Sequence, residues 1–160
     1  IDVLMKDALA FSLQVITATE SLLREAAQLC EGDLREYYLR HLDEEKDHAK
    51  WLAEDLEGHT IGLSHLAVAL AGSQYYLIKH VHPACLLGYM LALENPAPIE
   101  AIEALEAVHG KKLLRTARLH AVEDVAHRAT LLEQVGKLPP HLQDMVYANE
   151  RQTNLYLGMR

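Results

Sequence analysis

Two segments of the chain carry the same three kinds of side chain at the same spacing. One reads His41-Leu-Asp-Glu-Glu45-Lys-Asp-His48 and the other His120-Ala-Val-Glu-Asp124-Val-Ala-His127, each a His-x3-carboxylate-x2-His. On a helix turning ~100° per residue, that spacing keeps all three side chains within roughly 60° of one face. Each segment therefore predicts a stripe of two imidazoles and one carboxylate. An isolated glutamate precedes each stripe: Glu20 lies 25 residues before Glu45, and Glu94 lies 30 residues before Asp124. Both gaps suit an antiparallel hairpin that brings the earlier glutamate level with the stripe. Glu94 also ends the apolar run from Cys85 to Leu93, where a core-facing residue is expected.

Two halves of the form Glu…carboxylate-x2-His are how helical bundles cage a pair of iron or manganese ions. Carboxylates are hard anionic ligands that bridge ions, and imidazoles suit iron while leaving positions open for oxygen. Zinc is less favoured, because a carboxylate-rich cage fits a tetrahedral structural site poorly. Charged residues at this spacing more often form a solvated, ion-paired face. The repetition, with a glutamate ahead of each copy on an otherwise apolar helix, favours ligands. Buried unpaired carboxylates are costly, and a cation makes such a cluster tolerable.

Other candidates carry less weight. His59, His65, His80, His82, His109 and His141 lack a partnered spacing and are expected at the surface or satisfied in the core. Tyr75, Tyr76 and Tyr89 are candidates to line a pocket near Glu94, with core packing as the competing reading.

The elements that must position these groups are all helical. Ala, Leu, Glu and Arg dominate, β-branched residues never alternate with polar ones over a strand length, and Gly and Pro number only 8 and 5. A first helix is predicted over 3–30, and Glu31-Gly32-Asp33 interrupts it, with Asp33 as the next N-cap and Glu36 its capping-box partner. The second helix ends at Glu57-Gly58. The third begins near Ser64, bends at Gly72-Ser73 or His82-Pro83, and stops before Pro96. Pro98 opens a short helix that ends at His109-Gly110, the next runs from Lys111 to about Val135, and the last from near His141 to Leu157. Short connections and apolar faces of helical period give one all-α bundle over 1–160. The chain opens on Ile1 rather than Met, so further residues are expected ahead of it.

A net charge of −8 argues against a nucleic-acid partner, since phosphate binding needs a cationic stripe. The one basic cluster, Lys111, Lys112, Arg115 and Arg118, is expected on a solvated helix face. Cys30 and Cys85 are isolated thiols without CxxC spacing, which fits a reduced, cytoplasmic protein. No apolar run reaches membrane-spanning length.

At these residues the sequence resembles the haem-oxygenase-like diiron oxidases and oxygenases, related in fold to thiaminase II and to pyrroloquinoline-quinone synthase. The matching text is HLDEEKDHAKWLAEDL (41–56), HPACLLGYMLALEN (82–95) and LHAVEDVAH (119–127), in that order along nearly the whole chain. The resemblance implies a haem-oxygenase-like helical bundle. It implies Glu20, Glu45, His48, Glu94, His120, Asp124 and His127 as ligands of two iron ions in a labile centre, with His41 beside them or facing the substrate. It also implies O2 as co-substrate in the oxidation of a small molecule. A ferritin-like diiron protein, storing iron or reducing peroxide, is the nearest rival. A metal-free relative of thiaminase II or the quinone synthase is another, with Cys85 as its one thiol in a plausible pocket position. A true haem oxygenase would need a histidine on the first helix, and none precedes His41. A homodimer is an open expectation.

Overall fold

The apolar octet from Leu86 to Leu93 forms the middle of the bundle. In the computed structural model, which describes residues 2–159, every residue from Leu86 to Ala92 is buried. A helix apolar on all sides needs neighbours on all sides. The chain supplies them as α1 (Asp2–Gln28), α2 (Gly32–Glu45), α3 (His48–Asp55), α4 (His65–His80), α5 (Leu86–Leu93), α6 (Ile99–His109), α7 (Arg115–Gly136) and α8 (Pro140–Leu157). A 3-10 turn, Pro83–Cys85, leads into α5. No strand occurs among the described residues, and no helix among them is long and apolar enough to cross a membrane.

The long α1 packs against α2, α3 and α4, while α5 lies between α8 and α7. α5 and α8 come close at Gly88, where α5 carries no side chain and the α8 backbone at Val146 fills the space. Leu22, Leu23, Tyr38, Leu87 and Met90 lie in the core behind the site.

Most predicted boundaries hold within a few residues. Ser64 caps α4, its hydroxyl accepting from the Ala67 amide at 3.2 Å. The third predicted helix breaks at His82-Pro83, while Gly72-Ser73 lies inside a continuous α4. His82 Nδ1 accepts the Ala84 amide there, at 3.0 Å. Two starts differ. Asp33 is not an N-cap, because α2 begins one residue earlier at Gly32, whose φ of 64° is cheap only for glycine. Asp33 instead sits in the first turn, where its charge meets the helix dipole.

The fifth predicted helix begins at Arg115 rather than Lys111, because its cap comes from another helix. Asp55 at the end of α3 is buried, and its Oδ2 accepts from the Thr116 amide at 2.9 Å and the Thr116 hydroxyl at 2.5 Å. Arg115 adds an ion pair to Asp55 Oδ1 at 2.8 Å. This clamp fixes α3 against α7 one turn before His120. Asp55→Ala should cost about 2–3 kcal/mol, a cap plus a buried hydrogen bond, read by urea unfolding. A loss under ~0.5 kcal/mol, the size of an ordinary surface substitution, would reject the clamp.

Three of the four residues of the basic cluster pair with acidic neighbours. Lys112 pairs with Glu57, Arg115 with Glu54 and Asp55, and Arg118 makes two 2.7 Å bonds to Glu106.

Candidate metal centre

The two stripes face each other in antiparallel register. His48 on α3 meets His120 on α7, with Nδ1 and Nε2 2.7 Å apart, while His41 on α2 meets His127 with ring centroids 5.3 Å apart. Reversed direction explains the pairing: first meets last in both stripes. Glu94 joins from the C-terminal end of α5, its Oε1 2.6 Å from His41 Nε2. Arg128, next after His127, donates to the Leu91 carbonyl at 2.7 Å and ties that end of α5 to α7.

Two groups of potential ligands result: His41, Glu94 and His127, and Glu45, His48 and His120. Glu45 lies between them. Its Oε2 is 2.6 Å from His48 Nδ1, and its Oε1 is 3.6 Å from His127 Nδ1 and 3.9 Å from His41 Nε2. One carboxylate therefore turns an oxygen toward each triad.

The polar inventory fits a cation. His48 Nδ1 has one proton or one lone pair, yet it lies at contact distance from both Glu45 and His120. It cannot satisfy both, whereas a positive ion shared by the three can. In the other triad, Glu94 Oε2 and His127 Nδ1 are buried without hydrogen-bond partners. Such orphaned groups are costly and call for an explanation.

Electrostatics follow from this crowding. Burial is the largest influence on Glu94 and holds its carboxyl above the ordinary range. Burial also opposes ionisation of Glu45, but the hydrogen bond from His48 and the neighbouring imidazoles outweigh it and leave the carboxyl below its usual value. Burial works against a proton on His48, yet Glu45 and Glu123 together raise it. Burial and then the His48 charge push His120 down, so of the two it is His48 that more readily takes the extra proton. His127 is raised to about 9, first by Asp124 and then by the nearby glutamates.

The predicted residues are placed as follows. Glu45, His48, Glu94, His120 and His127 lie within the triads. Asp124 and Glu20 lie outside them but line the same cavity; Asp124 is 3.7 Å from His127, and Glu20 is 3.9 Å from Arg24. His41, expected beside the ligands, is itself a member of a triad. Tyr76 is a correction: it is exposed and faces a groove on the far side of α4. Tyr75 packs at the core margin under Lys79, and Tyr89 is fully buried with its hydroxyl 2.8 Å from Thr19. Neither lines the cavity beside Glu94, because each is drawn into packing. Tyr37 stacks on His41 instead, and Trp51 lies 5.3 Å from His48.

Two carboxylates were missed. Glu44 lies 3.6 Å from His127 and 3.8 Å from His41, and Glu123 lies 3.5 Å from His48. Each precedes the central carboxylate of its own stripe and reaches imidazoles of the other. The signal was in the sequence as an acidic doublet, Glu44-Glu45 and Glu123-Asp124. Of the remaining histidines, His59 pairs with Asp7 and His109 with Asp2.

Beside the centre is a cavity of about 500 Å³. Phe11, Val15 and Ile16 of α1 and Leu157 of α8 form its apolar walls, and Ser12, Thr19 and Asn154 add hydrogen-bonding groups. Among the described residues, no Lys or Arg lines it. Compared with known proteins, the chain matches no family model, no curated protein and no solved structure.

Proposed function

We propose that this chain is a non-haem oxidase of the haem-oxygenase-like kind, holding two iron ions between α2–α3 and α7 and using O2 to oxidise a small molecule in the adjoining cavity. The observation that carries the reading is the pair of two-histidine, one-carboxylate groups joined through Glu45 and opening onto that cavity. This donor set is the one that suits non-haem Fe(II) oxygenases. The haem-oxygenase-like assignment rests on the order of the motifs and on the Pro83 break ahead of Glu94.

His41, Glu94 and His127 would hold one ion, and Glu45, His48 and His120 the other. Iron there supplies one-electron chemistry and coordination positions open to O2. The chain's own groups do the rest. Glu44 and Glu123 reach the imidazoles from the opposite helix and hold their ring orientation. Phe11, Val15, Ile16 and Leu157 exclude water from the apolar end of a substrate, while Ser12, Thr19 and Asn154 can hydrogen-bond its polar end. The apolar walls favour an organic substrate over iron storage. Thiol chemistry has no support here, since Cys85 is buried in the floor of a different cavity.

Anaerobic loading with Fe(II), metal counting, and the visible spectrum and O2 uptake on exposure to air test the proposal. About two irons per chain and an O2-dependent spectral change are expected. Two-histidine, one-glutamate sets also occur at catalytic zinc. Preferential zinc uptake with hydrolysis of simple esters and no O2 consumption by the iron form would replace the oxidase reading.

Metal affinity should also depend on pH. In the metal-free protein His127 holds its proton to about 9, and His48 is raised too. An ion must displace those protons, so binding weakens as pH falls through these values, by up to about tenfold per unit for each proton released. Chelator competition between neutral pH and pH ~9, the range through which such a histidine titrates, should show affinity rising throughout. A flat profile would contradict the protonation pattern.

A further inference from the structure

A second cavity, of about 490 Å³, lies between α4 and α8 and is floored by Cys85, Asn149 and Thr153. We propose that it is a second ligand site, taking an uncharged, ring-bearing small molecule with one hydrogen-bonding oxygen. It shares no residue with the metal centre's cavity and depends on no reading of that centre.

The lining excludes charge. Among the described residues, no Asp, Glu, Lys, Arg or His borders the cavity, although charged residues make up 24% of the chain. A charged ligand would lose its hydration there without gaining a partner. The polar floor is already paired: Gln74 donates to Asn149 Oδ1 at 3.0 Å, and Asn149 Nδ2 donates to Gln74 Oε1 at 2.7 Å and to the Cys85 carbonyl at 2.6 Å.

Thr153 is the exception. Its side chain is 1% exposed, and its hydroxyl has no hydrogen-bond partner. A helical threonine ordinarily returns that hydroxyl to the carbonyl one turn back, as Thr17, Thr19 and Thr130 do in this chain. Leaving it unpaired costs about 1–3 kcal/mol, and a ligand oxygen on the floor would satisfy it. The rim supplies ring and sulfur contacts through Tyr76, whose side chain is 63% exposed, Tyr156 and Met145. The volume falls in the range of small-molecule sites. Burial raises the Cys85 thiol, which keeps the contact noncovalent.

The test is an NMR titration of the whole chain with acetophenone, benzoate and benzylamine, neutral and charged versions of one ring. Acetophenone should give saturable shifts at Thr153, Met145 and Tyr76, with the charged compounds at least about tenfold weaker. Thr153→Val, which keeps the shape and removes the hydroxyl, should weaken acetophenone about five- to tenfold. Ala148→Trp, at an exposed lining position, should abolish binding while leaving the rest of the spectrum in place. No saturable shift at these residues, equal binding of benzoate or benzylamine, or undiminished binding by Thr153→Val would overturn the proposal. So would a dimer in sedimentation that Tyr76→Ala separates, which would give the groove to a second copy of the chain.

Discussion

If the chain holds two ions as proposed, Glu45→Ala should lose at least one of them and weaken the other about 100-fold or more. Loss of an orienting group alone typically costs 10- to 100-fold in metal affinity, and Glu45 faces both triads directly. Its Oε2 lies against His48, and its Oε1 faces His41 and His127. Without it, His48 and His120 are left as two close imidazoles, 2.7 Å apart at their nearest nitrogens, with no carboxylate between them. Glu44→Ala is the matched control, since that side chain touches only the far sides of His41 and His127, at 3.8 and 3.6 Å. It should keep both ions with a loss of about tenfold. Metal counting and chelator competition read both variants, and circular dichroism checks that the bundle survives. If Glu45→Ala keeps two ions at undiminished affinity, the shared-carboxylate arrangement is wrong.

Gly88→Ala should be the most destabilising of the glycine-to-alanine changes in this chain, because only there would the new methyl run into the backbone of another helix. A Cβ at that position would lie 2.0 Å from the Val146 carbonyl oxygen, 2.9 Å from the Glu150 amide nitrogen and 3.0 Å from Asn149 Cβ. Two of these obstacles are helix backbone, so α8 as a whole must move away from α5. Overpacking of this kind costs about 3 kcal/mol or more, which at this chain length lowers Tm by about 6–12 °C. Gly72→Ala is the comparison, because nothing lies within 4 Å of a Cβ there and α4 is continuous through it. That change should be neutral or slightly stabilising. Equal melting of the two variants would show that α5 and α8 are not in such close contact.

The helices were legible because their punctuation is local. Ser64, Pro83, Pro98, Gly110 and Pro140 act on their own neighbours, and the structure breaks at each of them. The start of α7 was not legible, because its cap is Asp55, 61 residues away. The second stripe was legible because helical spacing along the continuous α7 fixes which side chains share a face; the first keeps its residues together although the helix breaks between Glu45 and His48. What spacing cannot fix is which face meets which. Grouping each stripe with its own upstream glutamate kept His120 with Asp124 and His127, whereas antiparallel packing sends His120 to His48 and brings His41 to His127. Of the tyrosines, Tyr75 and Tyr89 follow the core-packing reading, whereas composition and spacing said nothing of which way Tyr76 faces on α4.

The interruption between α2 and α3 has a mechanical consequence. Lys46 and Asp47 leave the helical ladder just after Glu45 and just before His48, with Asp47 at φ −103° and ψ −8°. A single unbroken rod would carry His41, Glu45 and His48 as one rigid comb, and any adjustment at one end would be imposed on the other. The two-residue joint makes them separate jaws. His41 and Glu45 ride on one segment and His48 on the next, so the gap between the two halves of the centre can widen or narrow without unseating either helix from the core. Such compliance is what a cluster needs if its occupants change radius or charge during turnover, and it should show as faster amide exchange at residues 46–48 than in the turns on either side.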